Sequence, residues 1–416
     1  MASESLGLEK TRSKVEEIVK PEGYQPLQRT VRQRRADPIT GYNSKLVCTS
    51  QPPIDIDASL ADHPDGWSEC LLTGFMKYNI LHTANYPQPV SRTPRIVYSV
   101  DRTRDGRGLG MFATQDLKMG ELILSERAII IVAVELMRQP LQVPLHFTDE
   151  QIRQAVSFEC ESELKLCFDR VPEESRKAYL SLHNSCKHDG SGPIEGILKT
   201  NGLDLKGMTD FGWNPDGRKG HIGVFKNISR INHSCRPNAC YRWDMVSFSM
   251  QIRAVRHMAK GEEITIPYID VLLPASTRQR QLEPYGFQCS CLSCKNPILS
   301  DSRRLELLKT LPSHMNLVHW IMNYKLPDDH LVKASVGQIK LLQQEGLELT
   351  SYYRAHLQFL KDIYCAVKND IKVLEMDTTL RRWDLATEGK LTFKDQGLLW
   401  GARERTKQLM LMFGNV

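Results

Sequence analysis

The sequence predicts a mixed α+β fold: a β-rich domain interrupted by a helical insert, closed by a cysteine cluster and followed by an all-α helical C-terminal domain. Three observations predict it. Short apolar runs separated by turn residues recur between Arg95 and Ile269, and helix-spaced apolar residues fill the chain after Asp301. Between the two regions stands Cys289-Ser290-Cys291-Leu292-Ser293-Cys294.

Taken in order, residues 1–94 carry prolines from Pro21 to Pro94 and little periodicity. They predict a mostly irregular N-terminal arm with short ordered pieces, among them a helix near Trp67–Tyr78. Ile96–Val100, Leu109–Ala113 and Glu121–Leu124 then read as short strands. After Ile129–Val134 the pattern turns helical. Thr148 with Gln151 predicts a capping box at the head of a helix running to about Phe168. Pro172 suits the first position of the next helix, with Tyr179, Leu180 and Leu182 as its apolar face, and Ile194–Thr200 makes a third. Gly207, Gly212, Gly217 and Gly220 break up a loop that holds Trp213. Strand texture returns over Val246–Val255 and Glu263–Ile269. Helical segments follow around Leu305 and Leu308, over Leu331–Leu349 and Tyr352–Val367, and on to Phe413, as antiparallel pairs without a repeat signature at fixed period. The boundaries are an arm at 1–94, a β-rich domain at 95–284 with its insert at about 127–222, a cysteine segment at 285–297 and a helical domain at 298–416.

The 416 residues allow two or three domains, and 41% hydrophobic with 25% charged residues is the composition of a soluble protein. A net charge of +6, with both signs interspersed, argues against nucleic-acid binding. Arg32-Gln33-Arg34-Arg35 reads as a solvated turn ahead of a nuclear address or phosphate contact. Runs of 18 apolar residues are absent, which argues against a membrane span. The start Met1-Ala2-Ser3-Glu4-Ser5 lacks the pattern of a secretory signal. Eleven cysteines, an odd number with one tight cluster, point to metal rather than disulfides and to a reducing compartment, cytosol or nucleus.

Four runs carry chemistry. Asp105-Gly106-Arg107-Gly108-Leu109-Gly110 lies between two strands, where glycines let the backbone turn and approach a ligand; with no helix after it, it is not a dinucleotide fingerprint. Asn232-His233-Ser234-Cys235-Arg236-Pro237-Asn238 packs short polar side chains beside a cysteine, a poor filler for a core because each buried polar group needs a partner. Gly261 to Asp270 is a turn and strand that brings Tyr268 to a core edge. Tyr285-Gly286-Phe287-Gln288 leads into the clustered cysteines, whose spacing suits a closed structural zinc site. Cys289, Cys291 and Cys294 leave a tetrahedral zinc one ligand short, and Cys235 is a ready fourth.

All four runs, in this order, resemble the SET domain of protein lysine methyltransferases over about residues 95–297. The stretch Ile264–Cys294 and the helical tail look most like the SET-and-MYND branch. The insert holds Cys160, Cys167 and Cys186 but no paired cysteine array, so a MYND zinc module is not expected. The resemblance implies S-adenosylmethionine as cofactor, lined by Arg107, Gly108 and Leu109 from the first loop and contacted by Asn201 after the insert. It implies Asn232 and His233 at the cofactor's amino-acid and adenine ends, Phe287 against the adenine, Tyr268 as the catalytic tyrosine and Tyr285 as the second tyrosine of a lysine channel. Cys289, Cys291 and Cys294 then form a post-SET zinc segment with Cys235.

The function expected is S-adenosylmethionine-dependent N-methylation of a lysine in a protein or peptide. One alternative is methylation of a small amine metabolite, if the insert and the glycine-rich loop close the channel to peptides. Another is a non-catalytic scaffold whose helical domain binds partner proteins. That domain is otherwise expected to cover the substrate cleft.

Overall fold

The computed structural model describes residues 18–27, 30–37, 41–55, 59–134, 141–208, 220–323, 325–389 and 399–413. In chain order the described elements begin with strands β1 (Thr30–Arg32), β2 (Leu46–Gln51) and β3 (Ser68–Thr73), helix α1 (Gly74–Leu81), and strands β4 (Tyr98–Arg102), β5 (Leu109–Ala113), β6 (Leu122–Glu126) and β7 (Ile130–Ala133). The insert contributes α2 (Asp149–Phe168), α3 (Glu173–Leu180) and α4 (Pro193–Asn201). Strands β8 (Leu203–Asp204), β9 (His221–Val224), β10 (Asn232–His233), β11 (Ala239–Asp244), β12 (Ser249–Ala254) and β13 (Glu263–Ile266) follow. The rest is helical: α5 (Ala275–Leu282), α6 (Leu292–Lys295), α7 (Pro297–Lys309), α8 (His314–Met322), α9 (His330–Glu345), α10 (Ser351–Ala366), α11 (Asp370–Thr387) and α12 (Ala402–Phe413).

Three sheets form, in the orders β1-β2-β3-β7-β9-β8, β10-β13-β5-β4 and β11-β12-β6. Met111, Ile123, Phe225, Phe248, Ile252 and Ile264 bury a common core between them. The insert helices pack on the other face of the first sheet, where Leu164, Phe168, Ile197 and Leu198 meet Leu71, Ile130 and Val132.

The described part of residues 18–94 lies mostly outside helices and strands, and its short ordered pieces are β1, β2, β3 and α1. Every residue of β2 and β3 is buried, and β3 lies parallel to β7 with Glu69 opposite Ile130. The supposed helix near Trp67 is strand up to Thr73 and helix only from Gly74. Polar composition disguised these strands. Glu69, only 1% exposed, accepts from Ser50, from the Trp67 indole at 2.9 Å and from Arg170 at 2.8 Å. Arg35 pairs with the same carboxylate at 3.3 Å and lies over the Trp67 ring. The Arg32–Arg35 run is therefore no free turn, because Arg35 anchors it to a buried ion network.

The insert follows its signals closely. Thr148 caps α2 with both halves of the capping box formed, and Asp149 and Glu150 add negative charge at the positive end of the helix dipole. Replacing Thr148 by alanine is expected to cost about 1 kcal/mol, read as a lower urea midpoint with an unchanged slope. Pro172 sits at the N-cap of α3, one position before the expected one, and of the expected apolar face Tyr179 and Leu182 are buried while Leu180 is exposed. The loop with Trp213 and the glycines at 212 and 217 lies outside the described residues.

Helices α9, α10 and α11 pack in sequence, joined by short connections that make neighbours antiparallel. Helix α11 lies on β11 and β12, and the Cys240 thiol donates to the Ala386 carbonyl at 3.0 Å. Among the described residues, no helix is long and apolar enough to cross a membrane.

Candidate functional site

The run from Asn232 to Asn238 is built by its own polar side chains. Strand β10 pairs parallel with β13, placing Asn232 opposite Thr265 and His233 opposite Ile266. Asn238, 1% exposed, donates to the Glu262 carboxylate at 2.9 Å and the Glu263 carbonyl at 2.8 Å, and accepts from the Thr265 N–H at 2.8 Å. With the Thr265 hydroxyl also donating to its side-chain oxygen at 3.4 Å, the asparagine has no spare capacity, so its role is to hold the run on β13. Asn232 donates to the Leu109 carbonyl at 3.1 Å and to Glu263 at 2.8 Å, while Arg107 donates to the other Glu263 oxygen at 2.6 Å. Glu263 thereby ties the glycine loop to β10. Gly106 and Gly108 turn that loop with φ of +78° and +91°, a region other residues rarely enter. At Gly110 a Cβ would stand 2.8 Å from Glu263 and 3.0 Å from the Asn232 amide, so only glycine fits.

These elements wall a cleft of about 540 Å³. Every residue assigned a cofactor or catalytic place from the sequence lines it: Arg107, Gly108, Leu109, Asn201, Asn232, His233, Tyr268, Tyr285 and Phe287. A smaller cavity of about 180 Å³ adjoins it. Thr200, Asn201, Ser229, Tyr268 and Tyr285 line both, so the two spaces meet at the tyrosines. The smaller one is otherwise largely apolar, with Leu203, Ile222, Ile228, Ile231 and Ile266.

Tyr268 is fixed at both ends. Its N–H donates to Nδ1 of His233 at 3.0 Å, and its hydroxyl donates to the Ile231 carbonyl at 2.6 Å. Burial, with Tyr285 beside it, pushes the Tyr268 hydroxyl well above the usual phenol range. It is a neutral donor at physiological pH, its oxygen lone pairs still free to accept. Burial lifts Tyr285 too, and carries Tyr241 up to about 12. The Tyr268 and Tyr285 ring centroids are 5.0 Å apart, and His233 lies 5.4 Å from Tyr268 and 6.2 Å from Phe287. Asn201, the last residue of α4, donates its side-chain amide to the Ile197 carbonyl of that helix at 2.8 Å and to the His183 carbonyl at 2.6 Å, and its backbone carbonyl accepts from the Ser229 hydroxyl at 3.1 Å. Its amide thus braces the insert rather than facing the cleft freely.

The four thiols Cys235, Cys289, Cys291 and Cys294 lie within 4.8 Å of one another. Cys235 Sγ is 3.9 Å from Cys289 and 3.5 Å from Cys294. A tetrahedron with Zn–S near 2.3 Å has edges of about 3.8 Å, so the donor set fits zinc. Two buried guanidiniums stand by to offset the excess negative charge of four thiolates: Arg278, 3.9 Å from Cys294 Sγ, and Arg304, which donates to the Cys235 carbonyl at 3.1 Å. Arg304 also pairs with buried Glu345 of α9, whose carboxylate accepts from Ser293 and Ser300. The cluster thus sits between the Asn232 run and the helical domain.

Sequence reasoning missed the loop between α3 and α4, whose Leu182, His183, Asn184 and Lys187 line the cleft. It also missed Asp204 and Tyr241 in the smaller cavity. Tyr241 was legible in the alternation of Ala239–Asp244; the loop carries no local signal. Among the described residues nothing beyond Phe287 lines either space, so the expected cover from the helical domain does not appear there.

Residues 108–269 match the SET domain family. The chain is similar to histone-lysine N-methyltransferase set5 of Schizosaccharomyces pombe, 32% identical over 35% of this chain and 43% of that protein. It is similar to human histone-lysine N-methyltransferase SMYD3, 39% identical over 18% of this chain and 17% of that one. Human N-lysine methyltransferase SMYD2 is 26% identical over 37% and 39% respectively. The chain therefore aligns with less than half the length of each of these relatives. Residues 108–269 thus match the SET domain family, and the motif order, the paired cavities and the thiol cluster are the structural features found with that match.

Proposed function

We propose that this chain is an S-adenosylmethionine-dependent N-methyltransferase acting on a lysine side chain of a protein or peptide. The observation that carries the reading is the meeting of the 540 Å³ cleft and the 180 Å³ cavity at Tyr268 and Tyr285. Similarity to proteins named as lysine methyltransferases supports the substrate class. S-adenosylmethionine supplies a methyl group already activated by its sulfonium. Arg107, Gly108, Leu109, Asn201, Asn232, His233 and Phe287 would hold it in the cleft.

The protein's work is then desolvation and alignment. A lysine amine, with pKa of about 10.4 in water, must shed its proton before it can attack. The apolar cavity disfavours the ammonium, because burial penalises charge. With its O–H committed to Ile231, the Tyr268 oxygen accepts an N–H from the amine and points the nitrogen lone pair toward the cleft. Cys235, Cys289, Cys291 and Cys294 would hold a structural zinc that keeps Tyr285 and Phe287 in place. Free thiols at such a cluster suit a reducing compartment, cytosol or nucleus.

Calorimetric titration with S-adenosylmethionine tests the cofactor half of the reading. Saturable binding is expected for the wild type. His233→Ala, which removes a ring from the cleft wall and the acceptor for the Tyr268 N–H, is expected to weaken it about tenfold, a loss of about 1.4 kcal/mol. No binding by the folded wild type would contradict the reading.

A further inference from the structure

The loop between α3 and α4 carries His183, Asn184 and Lys187 into the wall of the cleft, yet Ser185 in their midst lines neither space. Its hydroxyl donates instead to the Pro284 carbonyl at 2.8 Å, across 99 residues of chain. Its backbone N–H donates to the Thr200 hydroxyl at 3.1 Å, and that hydroxyl donates in turn to the Gly196 carbonyl of α4 at 2.7 Å. Each hydroxyl has one hydrogen, and these two are spent on Pro284 and Gly196. The two oxygens lie 3.0 Å apart. Asn184 presses on the same helix, since a Cβ at Gly196 would stand 2.6 Å from its side-chain oxygen. The loop is thus seated on α4, and from it Ser185 reaches residues 284–286. Its Cβ is 3.4 Å from where a Gly286 Cβ would stand.

The acceptor is well placed to matter. The Pro284 carbonyl belongs to the same planar peptide unit as the Tyr285 N–H, so holding that oxygen fixes the plane from which Tyr285 departs. It also stands at the end of the short 3-10 helix Glu283–Tyr285, where carbonyls lack a partner within the turn. Tyr285 and Thr200 each line both the cleft and the small cavity, so Ser185 joins two residues at which the spaces meet. We propose that Ser185 is a positioning residue for methyl transfer: through Pro284 it sets Tyr285 at that junction, tying the wall of the cofactor cleft to the wall of the lysine cavity. The amine must meet the methyl group in line, and a small misplacement of the channel wall lowers turnover. This rests on the methyltransferase reading above.

The test puts 3-fluorotyrosine in place of Tyr285 in the full chain and reads its fluorine resonance with S-adenosylmethionine bound. Beside it, the native chain is assayed for the rate of label transfer into extract protein at saturating S-adenosylmethionine. Ser185→Ala keeps the backbone N–H on Thr200 and deletes only the hydroxyl. It should shift or broaden the resonance and slow transfer about fivefold, the scale of one neutral hydrogen bond, with cofactor affinity unchanged. Ser185→Thr, which keeps the hydroxyl, should restore both. A merely structural serine would lower the urea midpoint and leave the resonance and rate of the folded protein alone. An unchanged resonance or rate in Ser185→Ala, or the loss of both in Ser185→Thr as well, would overturn the assignment while leaving the methyltransferase reading intact. Failure of the wild type to label protein or to bind S-adenosylmethionine would remove both.

Discussion

Replacing Cys291 by serine is expected to release the metal, unfold residues 285–297 and reduce methyl transfer to background. The segment has little regular structure of its own. Helix α6 is a single turn, and Leu292 is 63% exposed. Its ties to the rest of the protein run through thiols gathered around Cys235, the two Gln279 bonds to the Cys289 backbone and the Ser293 hydroxyl on Glu345. The free energy of structural zinc binding, about 10–16 kcal/mol for isolated zinc fingers, is largely folding free energy. Its loss should propagate in two directions. Tyr285 and Phe287, walls of the cleft, would lose their support, and the Arg304–Glu345 contact to α9 would lose the Cys235 loop it braces. Metal analysis should find one zinc per wild-type chain and none in Cys291→Ser, with new protease cuts between 285 and 297. A folded, active wild type free of zinc would refute this.

Tyr268→Phe is expected to cut kcat by about 10²–10³-fold, the usual cost of deleting one preorganised polar contact at a reacting centre. Binding of S-adenosylmethionine should persist. The substitution keeps the ring and its contacts to His233 and Tyr285, and the backbone N–H still donates to His233. Only the hydroxyl goes, leaving the Ile231 carbonyl without its 2.6 Å donor. The amine loses the oxygen that orients it. The split between kcat and cofactor affinity is the informative readout, since a merely structural hydroxyl would move stability without it.

Much of the β-rich domain was legible because its signals are local. The Thr148–Gln151 box fixed the start of α2 to the residue, and thiol spacing along 289–294 implied a metal site. The residues named for the cleft converge on it, since short polar runs beside glycine turns mark strand ends where sites are built. What escaped depended on distant partners. Strands β2 and β3 read as irregular because Ser50 and Glu69 are polar, yet both are buried once Arg170 from the insert and Arg35 from the chain start close the network. Asn201 lines the cleft where it was expected, but that its amide hydrogens go to the His183 and Ile197 carbonyls could not be read from the sequence. The contribution of Leu182–Lys187 to the cleft, and of Asp204 to the small cavity, arises only when the insert folds over the first sheet. Hydrophobic periodicity carries no record of such a juxtaposition.

Whether the two cavities joined at Tyr268 serve methyl transfer to lysine can be decided by incubating the wild type and Tyr268→Phe with radiolabelled S-adenosylmethionine and a cell extract, then separating protein from small molecules and hydrolysing the protein. Label is expected in protein, recovered as methyl-lysine and nearly absent with Tyr268→Phe. Label confined to small molecules, or equal label with both proteins, would contradict the proposed function.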